Sequence, residues 1–137
     1  MLIKKTSVKE NFLEKQCDYS LHRFSRFVQP SLLLFLSKKP SYGYELIDKL
    51  KTLGFHNESV DVGAVYRTLR KLEKDKFIKS TWEKPRFGRK RRIYHITNNG
   101  KRLLALWVER IKERRQALNK FIRIYQQEIK IEINEKN

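Results

Sequence analysis

A mainly α-helical domain with a small β-hairpin, followed by a long C-terminal helix, is the fold this sequence predicts. Three observations predict it. Apolar residues recur at three- and four-residue spacing through most of the chain after residue 26. That period breaks once, where Phe77–Trp82 and Arg92–Ile96, rich in β-branched and aromatic residues, flank a turn containing Pro85 and Gly88. After Thr97 the helical period returns and holds to Ile129.

Residues 1–25 are weakly patterned. Lys4, Lys5, Lys9 and Lys15 mix with Glu10, Glu14 and Asp18, and Val8, Phe12 and Leu13 are the only hint of an amphipathic turn. They are expected to form an N-terminal arm, flexible or loosely docked, the alternative being a basic arm that follows the phosphates of a nucleic acid or packs on a partner subunit. The first domain helix is expected over Arg26–Lys38. Pro30 falls near its start, where a missing N–H costs little. Leu32, Leu33, Leu34, Phe35 and Leu36 make it apolar nearly all round, which places it at the centre of the core. Lys39–Gly43 reads as a turn. Ser41 is the candidate cap of a second helix, with Glu45 one residue too far for a capping box. Tyr44, Leu46, Ile47, Leu50 and Leu53 form that helix's apolar face, and Gly54 ends it. Phe55–Val60 reads as a loop.

Asp61 is a good N-cap for the third helix, because its carboxylate accepts from first-turn N–H groups and favours the positive helix end. Val65, Leu69 and Leu72 give it an inner face, while Gly63, Ala64, Arg67, Thr68, Arg70, Lys71 and Lys74 lie opposite. The hairpin follows at once, and from Lys84 to Arg92 it carries six basic residues and no acid. Three helices and a basic hairpin in this order make a winged helix-turn-helix over residues 26–96: the third helix enters a major groove and the hairpin lies on the backbone. Thr97 caps the last helix, expected over residues 97–131, with residues 132–137 a polar, frayed tail. Along it Leu104, Trp107, Ile111, Leu118, Phe121, Ile122, Tyr125 and Ile129 form a stripe interrupted at Arg114. A helix of roughly thirty residues spans about 45 Å, more than this domain can cover. The stripe is therefore expected to form a homodimer interface through Leu104, Trp107, Ile111, Leu118, Phe121, Ile122 and Tyr125, the alternative being that the helix folds back on its own domain.

The charge balance speaks of partners. Lys and Arg number 32 and Asp and Glu 15 in 137 residues, a formal charge of +17. Such an excess suits a polyanion, nucleic acid above all, or an anionic membrane surface. No apolar run approaches the ~20 residues of a membrane-spanning helix, so no membrane insertion is expected, and a cytoplasmic protein is the simplest reading. One cysteine, Cys17, excludes an internal disulfide framework. Cys17 and His22 have no zinc spacing, His56 and His95 lie far off, and neither Gly43 nor Gly63 belongs to a phosphate loop. No catalytic residue, metal or cofactor is expected.

Three stretches carry a family resemblance. Pro40-Ser41-Tyr42-Gly43-Tyr44-Glu45-Leu46 resembles the opening of the second helix in PadR-type transcriptional regulators. Gly63-Ala64-Val65-Tyr66-Arg67-Thr68-Leu69-Arg70-Lys71-Leu72-Glu73 resembles their recognition helix, and Arg91–Gly100 their second wing strand with the Thr-x-x-Gly that enters the last helix. Order and approximate spacing are kept from Phe27 to Leu104. The Leu-rich first helix and the Leu-Trp after the wing are most like the branch known as polyhydroxybutyrate-responsive repressors. Two departures stand out: Lys76 replaces the usual Gly after the recognition helix, and the arm is longer than the pattern requires. The resemblance implies a homodimer that binds double-stranded DNA, more often as a repressor than an activator. For some members it also implies a small-molecule effector at the dimer centre, where Trp107 is the candidate wall; ordinary interface packing is the other role open to Trp107.

At the DNA-facing surface Arg67, Arg70 and Lys71 are the candidate base readers, since an Arg can give two hydrogen bonds to guanine. Gly63 and Ala64 either let the backbone approach DNA or relieve crowding against the second helix. Tyr66 is expected to pack its ring inward with its hydroxyl on a phosphate, and Tyr42 to reach one from the start of the second helix. Arg86, Arg89, Lys90 and Arg91 are the candidate wing contacts to phosphate, which set affinity and register. Phe87 either wedges into a minor groove or packs back on the hairpin. Glu73 is expected to be a structural partner, and Trp82 to anchor the wing to the domain. The expected function is a sequence-specific regulator that binds a pseudo-palindromic operator. Its main rival is a general DNA- or RNA-binding module without regulation, followed by a module whose basic wing meets an acidic partner.

Overall fold

A computed structural model of the chain describes residues 27–53 and 60–129, together with Glu135. The expected arm, Gly54 as a helix stop, the loop from Phe55 to Ser59, and the tail apart from Glu135 lie outside the described residues, as do Cys17, His22 and His56. The described elements run α1 (Val28–Lys38), β1 (Ser41–Tyr42), α2 (Gly43–Leu50), a 3-10 turn (Lys51–Leu53), α3 (Val62–Lys74), β2 (Ile78–Glu83), β3 (Arg91–Ile96), α4 (Asn98–Ile124) and a π-helical turn (Tyr125–Ile129).

Helix α1 is the hub. It packs against α2, α3, α4 and β3, and Leu32, Leu33 and Leu36 are buried. Leu34 departs from the all-round burial expected of this helix. At 3.6 residues per turn five consecutive apolar side chains point all ways round, and the side with Leu34 meets solvent at 38% exposure. Leu46 and Leu50 from α2, Val65, Leu69 and Leu72 from α3, and Ile78 and Tyr94 from the sheet complete the core. Tyr44 does not join it and is half exposed.

The segment expected to be a simple turn before α2 contains a strand. Ser41 pairs with Tyr94 and Tyr42 with Ile93, so the hairpin becomes a three-stranded antiparallel sheet in the order β1-β3-β2. Ser41 is fully buried and its hydroxyl donates to the Lys39 carbonyl, so it is not the helix cap. Tyr42 takes the cap position, and its backbone N–H donates to Glu45 Oε1 at 2.9 Å. Moving the cap by one residue restores the three-residue spacing that a Glu at this place requires. The hairpin register runs from Ile78 opposite Ile96 to Glu83 opposite Arg91.

Helix α3 starts as expected, with Asp61 Oδ1 accepting from the Ala64 N–H at 3.1 Å. It ends in a Schellman motif: Phe77 N–H donates to the Leu72 carbonyl and Lys76 N–H to that of Glu73. This motif puts Lys76 in the left-handed region at φ 65°, where a glycine would sit without strain. Thr97 then ties this corner to α4. Its N–H donates to the Phe77 carbonyl, its hydroxyl lies 2.8 and 2.9 Å from the carbonyls of Lys76 and Phe77, and the same oxygen accepts from Gly100 N–H as the cap of α4. Gly100 is closely confined here, since a Cβ on it would fall 2.1 Å from the Phe77 carbonyl oxygen.

Helix α4 is unbroken over 27 residues, about 40 Å. Its start docks on its own domain. Leu103, Leu104 and Trp107 pack against the core, and Trp107 Nε1 donates to Gln29 Oε1 of α1 at 2.8 Å. From Val108 to Ile129 every residue is exposed. No helix among the described residues is long and apolar enough to cross a membrane.

Candidate nucleic-acid interface

Helix α3 turns Val65, Leu69 and Leu72 inward because they recur with the helical period. Arg67, Arg70 and Lys71 are thereby forced outward, and all three are exposed. Arg67 lies 3.9 Å from the Asp61 carboxylate and Lys71 3.4 Å from that of Asp75. These exposed ion pairs are worth little in water, so a phosphate or base edge can displace them cheaply. Arg70 has no partner among the described residues. Gly63 is exposed, and a Cβ there would meet only Arg67 and Asp61; crowding against α2 is not what keeps it small. Ala64 is half-buried. Glu73 accepts from the Ser80 hydroxyl at 2.6 Å and so links α3 to β2, the structural role expected of it.

The wing carries its charge at the tip. Arg86, Arg89 and Lys90 are exposed with no partner among the described residues, and Gly88 turns the chain at φ 97°. Phe87 is 85% exposed, so its ring does not pack back on the hairpin. Trp82 does not anchor the wing either. It lies opposite Arg92, 61% exposed, with the guanidinium over its ring at 4.8 Å. Position 82 is one pair from the hairpin's free end, beyond the helices that cover Ile78.

Tyr42, at the start of α2, and Arg91, at the start of β3, meet within the chain. The Tyr42 hydroxyl donates to the Glu83 carboxylate at 2.6 Å, and Arg91 lies over the Tyr42 ring at 4.4 Å. Tyr42 also stacks on Tyr44, whose hydroxyl accepts from Arg91 at 3.4 Å. The bond to Glu83 raises the Tyr42 phenol above its ordinary value of 10.0, with desolvation adding to it. Burial raises the Tyr94 phenol, and the Arg92 guanidinium beside it opposes that rise.

These residues surround one cleft of about 180 Å³. Tyr42, Gly43 and Tyr44 form one wall, Tyr66 from α3 another, and Arg91, Arg92 and Tyr94 from β3 the third. Gly43 lets Tyr66 come this close, because a Cβ there would lie 2.7 Å from the Tyr66 hydroxyl oxygen and the ring would have to shift. Tyr66 packs partly against the core, as expected of its ring, with its hydroxyl beside Gly43 at the cleft. Sequence reasoning missed Tyr44, Glu83 and Arg92. The available signals were the pairing of an acid with Arg91 at the hairpin ends and the Tyr-Gly-Tyr spacing, which a strand at Ser41–Tyr42 turns into a stacked pair.

The stripe expected at a dimer interface divides in two. Leu104 and Trp107 pack on their own chain, as the fold-back alternative has it, whereas Ile111, Leu118, Phe121, Ile122 and Tyr125 are bare. Among the described residues no group of three or more His, Cys, Asp or Glu is placed to hold a metal ion.

The model of the Transcriptional regulator PadR-like family matches residues 32–106, more than half of the chain. A PadR-like transcriptional regulator from Bacillus cereus is 29% identical, with a TM-score of 0.64 over 74% of this chain and 96% of that one. A PadR family transcription regulator from Clostridium difficile is 26% identical, with a TM-score of 0.62 over 70% of this chain and 98% of that one. The fold is also that of Bacillus subtilis PadR, solved in complex with operator DNA, at 23% identity and a TM-score of 0.54 over 60% of this chain and 46% of that one. No curated protein matches the chain.

Proposed function

This chain belongs to the Transcriptional regulator PadR-like family, and from that premise we propose that it represses transcription as a homodimer bound to a pseudo-palindromic operator. Each subunit places α3 in a major groove and the wing on the flanking backbone, with half-sites about one helical turn apart. The observation that carries this reading is the shared cleft. Tyr66 of α3 and Arg91 and Arg92 of the wing line the same space, so the residues following Tyr66 and the wing approach one surface together. The net charge of +17 supplies the attraction. The bare half of the α4 stripe supports pairing through Ile111, Leu118, Phe121, Ile122 and Tyr125. Cytoplasmic placement goes with this work. A small effector, where one acts, shifts the angle between the two DNA-binding units by binding one arrangement better than the other.

The test is binding of the purified chain to duplexes selected from a random pool, against unselected duplex, at near-physiological salt. A preferred sequence should emerge. Arg67→Ala should lose about 1–3 kcal/mol on it and relax its choice at one position. Arg86 and Arg89 changed together to Ala should weaken selected and unselected duplex alike and make the salt dependence shallower by about two contacts. Selection that returns no preferred sequence would overturn the regulator reading and leave a general nucleic-acid binder.

A further inference from the structure

The cleft at the base of the wing holds more hydrogen-bonding capacity than the chain uses. Arg92 lies over the Trp82 ring, and its Nε is buried without a hydrogen-bond partner among the described residues. Arg91 gives the cleft only a long 3.4 Å contact to the Tyr44 hydroxyl. Glu83 accepts from the Tyr42 hydroxyl but does not line the cleft, and no other acid does. Two guanidinium groups, Tyr44 and Tyr66 thus line a space that no carboxylate lines; Glu83 stands behind Tyr42, and the bond Arg92 makes within the cleft is to the Tyr94 hydroxyl. A buried, unpaired donor on a charged group is costly unless something fills its bond.

We propose that this cleft seats one phosphate group, with Arg92 as its principal donor and Arg91 and the Tyr44 hydroxyl closing over it. The Nε–H and an adjacent Nη–H of a guanidinium form a fork that matches two phosphate oxygens, and in Arg92 the Nε half of that fork is free. Stacking on Trp82 fixes the plane of the group. Gly43 leaves room for the Tyr66 ring where it stands, since a Cβ there would push that ring aside. The same chemistry serves a diester of the DNA backbone or a monoester on a free ligand. Only the first rests on the DNA-binding reading above.

Nuclear magnetic resonance of the full chain tests this directly. The Arg92 Nε–H signal is followed while inorganic phosphate, and separately unselected duplex DNA, is added at constant ionic strength. A saturable shift with both is expected. Arg92→Gln should weaken selected and unselected duplexes by the same factor, about tenfold, and lower the salt slope by about one contact; Tyr44→Phe, which keeps the ring, should weaken both by a smaller common factor. A shift with inorganic phosphate alone, with duplex binding of both variants unchanged, assigns the seat to a free phosphorylated ligand. An Arg92 signal that answers phosphate in a chain that binds no duplex would sink the DNA reading and leave the seat standing. An Arg92 signal indifferent to both additions overturns the seat, and because it is read on the unaltered chain, misfolding of a variant cannot obscure it.

Discussion

Lys76 shows how a single residue can be placed against its own preference. The Schellman turn that ends α3 needs a left-handed residue, and Lys76 supplies it at φ 65°. For an L-residue with a side chain that conformation costs about 1–2 kcal/mol, part of which is returned because glycine loses more freedom on folding. Lys76→Gly should therefore raise stability by roughly 0.5–1 kcal/mol in chemical denaturation. The strain is legible in the sequence itself, because a lysine stands where the family resemblance expects glycine. Tyr42 is less legible. Its hydroxyl meets Glu83, 41 positions away, and no local pattern reports a pair brought together by a third strand. Both Tyr42 and Tyr94 hold their protons more tightly in the folded chain. Unfolded tyrosines ionise first, so stability present below the ordinary phenol value of 10.0 is lost as pH rises toward the elevated folded values. An ultraviolet titration should show two tyrosines ionising late, and Tyr42→Phe should remove one of them.

Among the elements, the helices are the most legible in the sequence, because burial imposes a period and caps impose residue types. Val65, Leu69 and Leu72 face inward and Asp61 caps α3 as expected. Strand β1 escapes such a reading because two residues carry no period, and its pairing depends on β3, some fifty positions later. Trp82 misleads for a related reason: aromatic character marks a strand but does not say which end of the hairpin the helices cover. The corner between α3, β2 and α4 depends on Gly100 more than on any apolar residue. Its Cβ would strike a backbone oxygen that cannot swing aside. Gly100→Ala should cost about 3 kcal/mol or more despite alanine's better helix propensity, visible as a loss of thermal stability without a change in net charge.

At the scale of the whole molecule, the chain is a compact head with a long, largely uncovered helix. Beyond Val108 every described residue of that helix up to Ile129 is exposed, and it presents Leu118, Phe121, Ile122 and Tyr125 to solvent. Covering them with a second copy predicts a melting temperature that rises with protein concentration. Leu118→Glu with Ile122→Glu should give a monomer in sedimentation, with weaker operator binding but an intact head. A sedimentation profile unchanged by the pair would remove α4 as the dimer contact. The corner at Thr97 also has a mechanical consequence. One hydroxyl holds both the end of the α3 turn and the first turn of α4, and Gly100 leaves no slack between them. A tilt of α4 therefore drags the C-terminal end of α3 with it, as a crank turns the shaft to which it is keyed. With no joint at that corner, in the proposed dimer the stroke delivered to α3 would be set by the angle at which two such cranks cross and by their 27-residue arm.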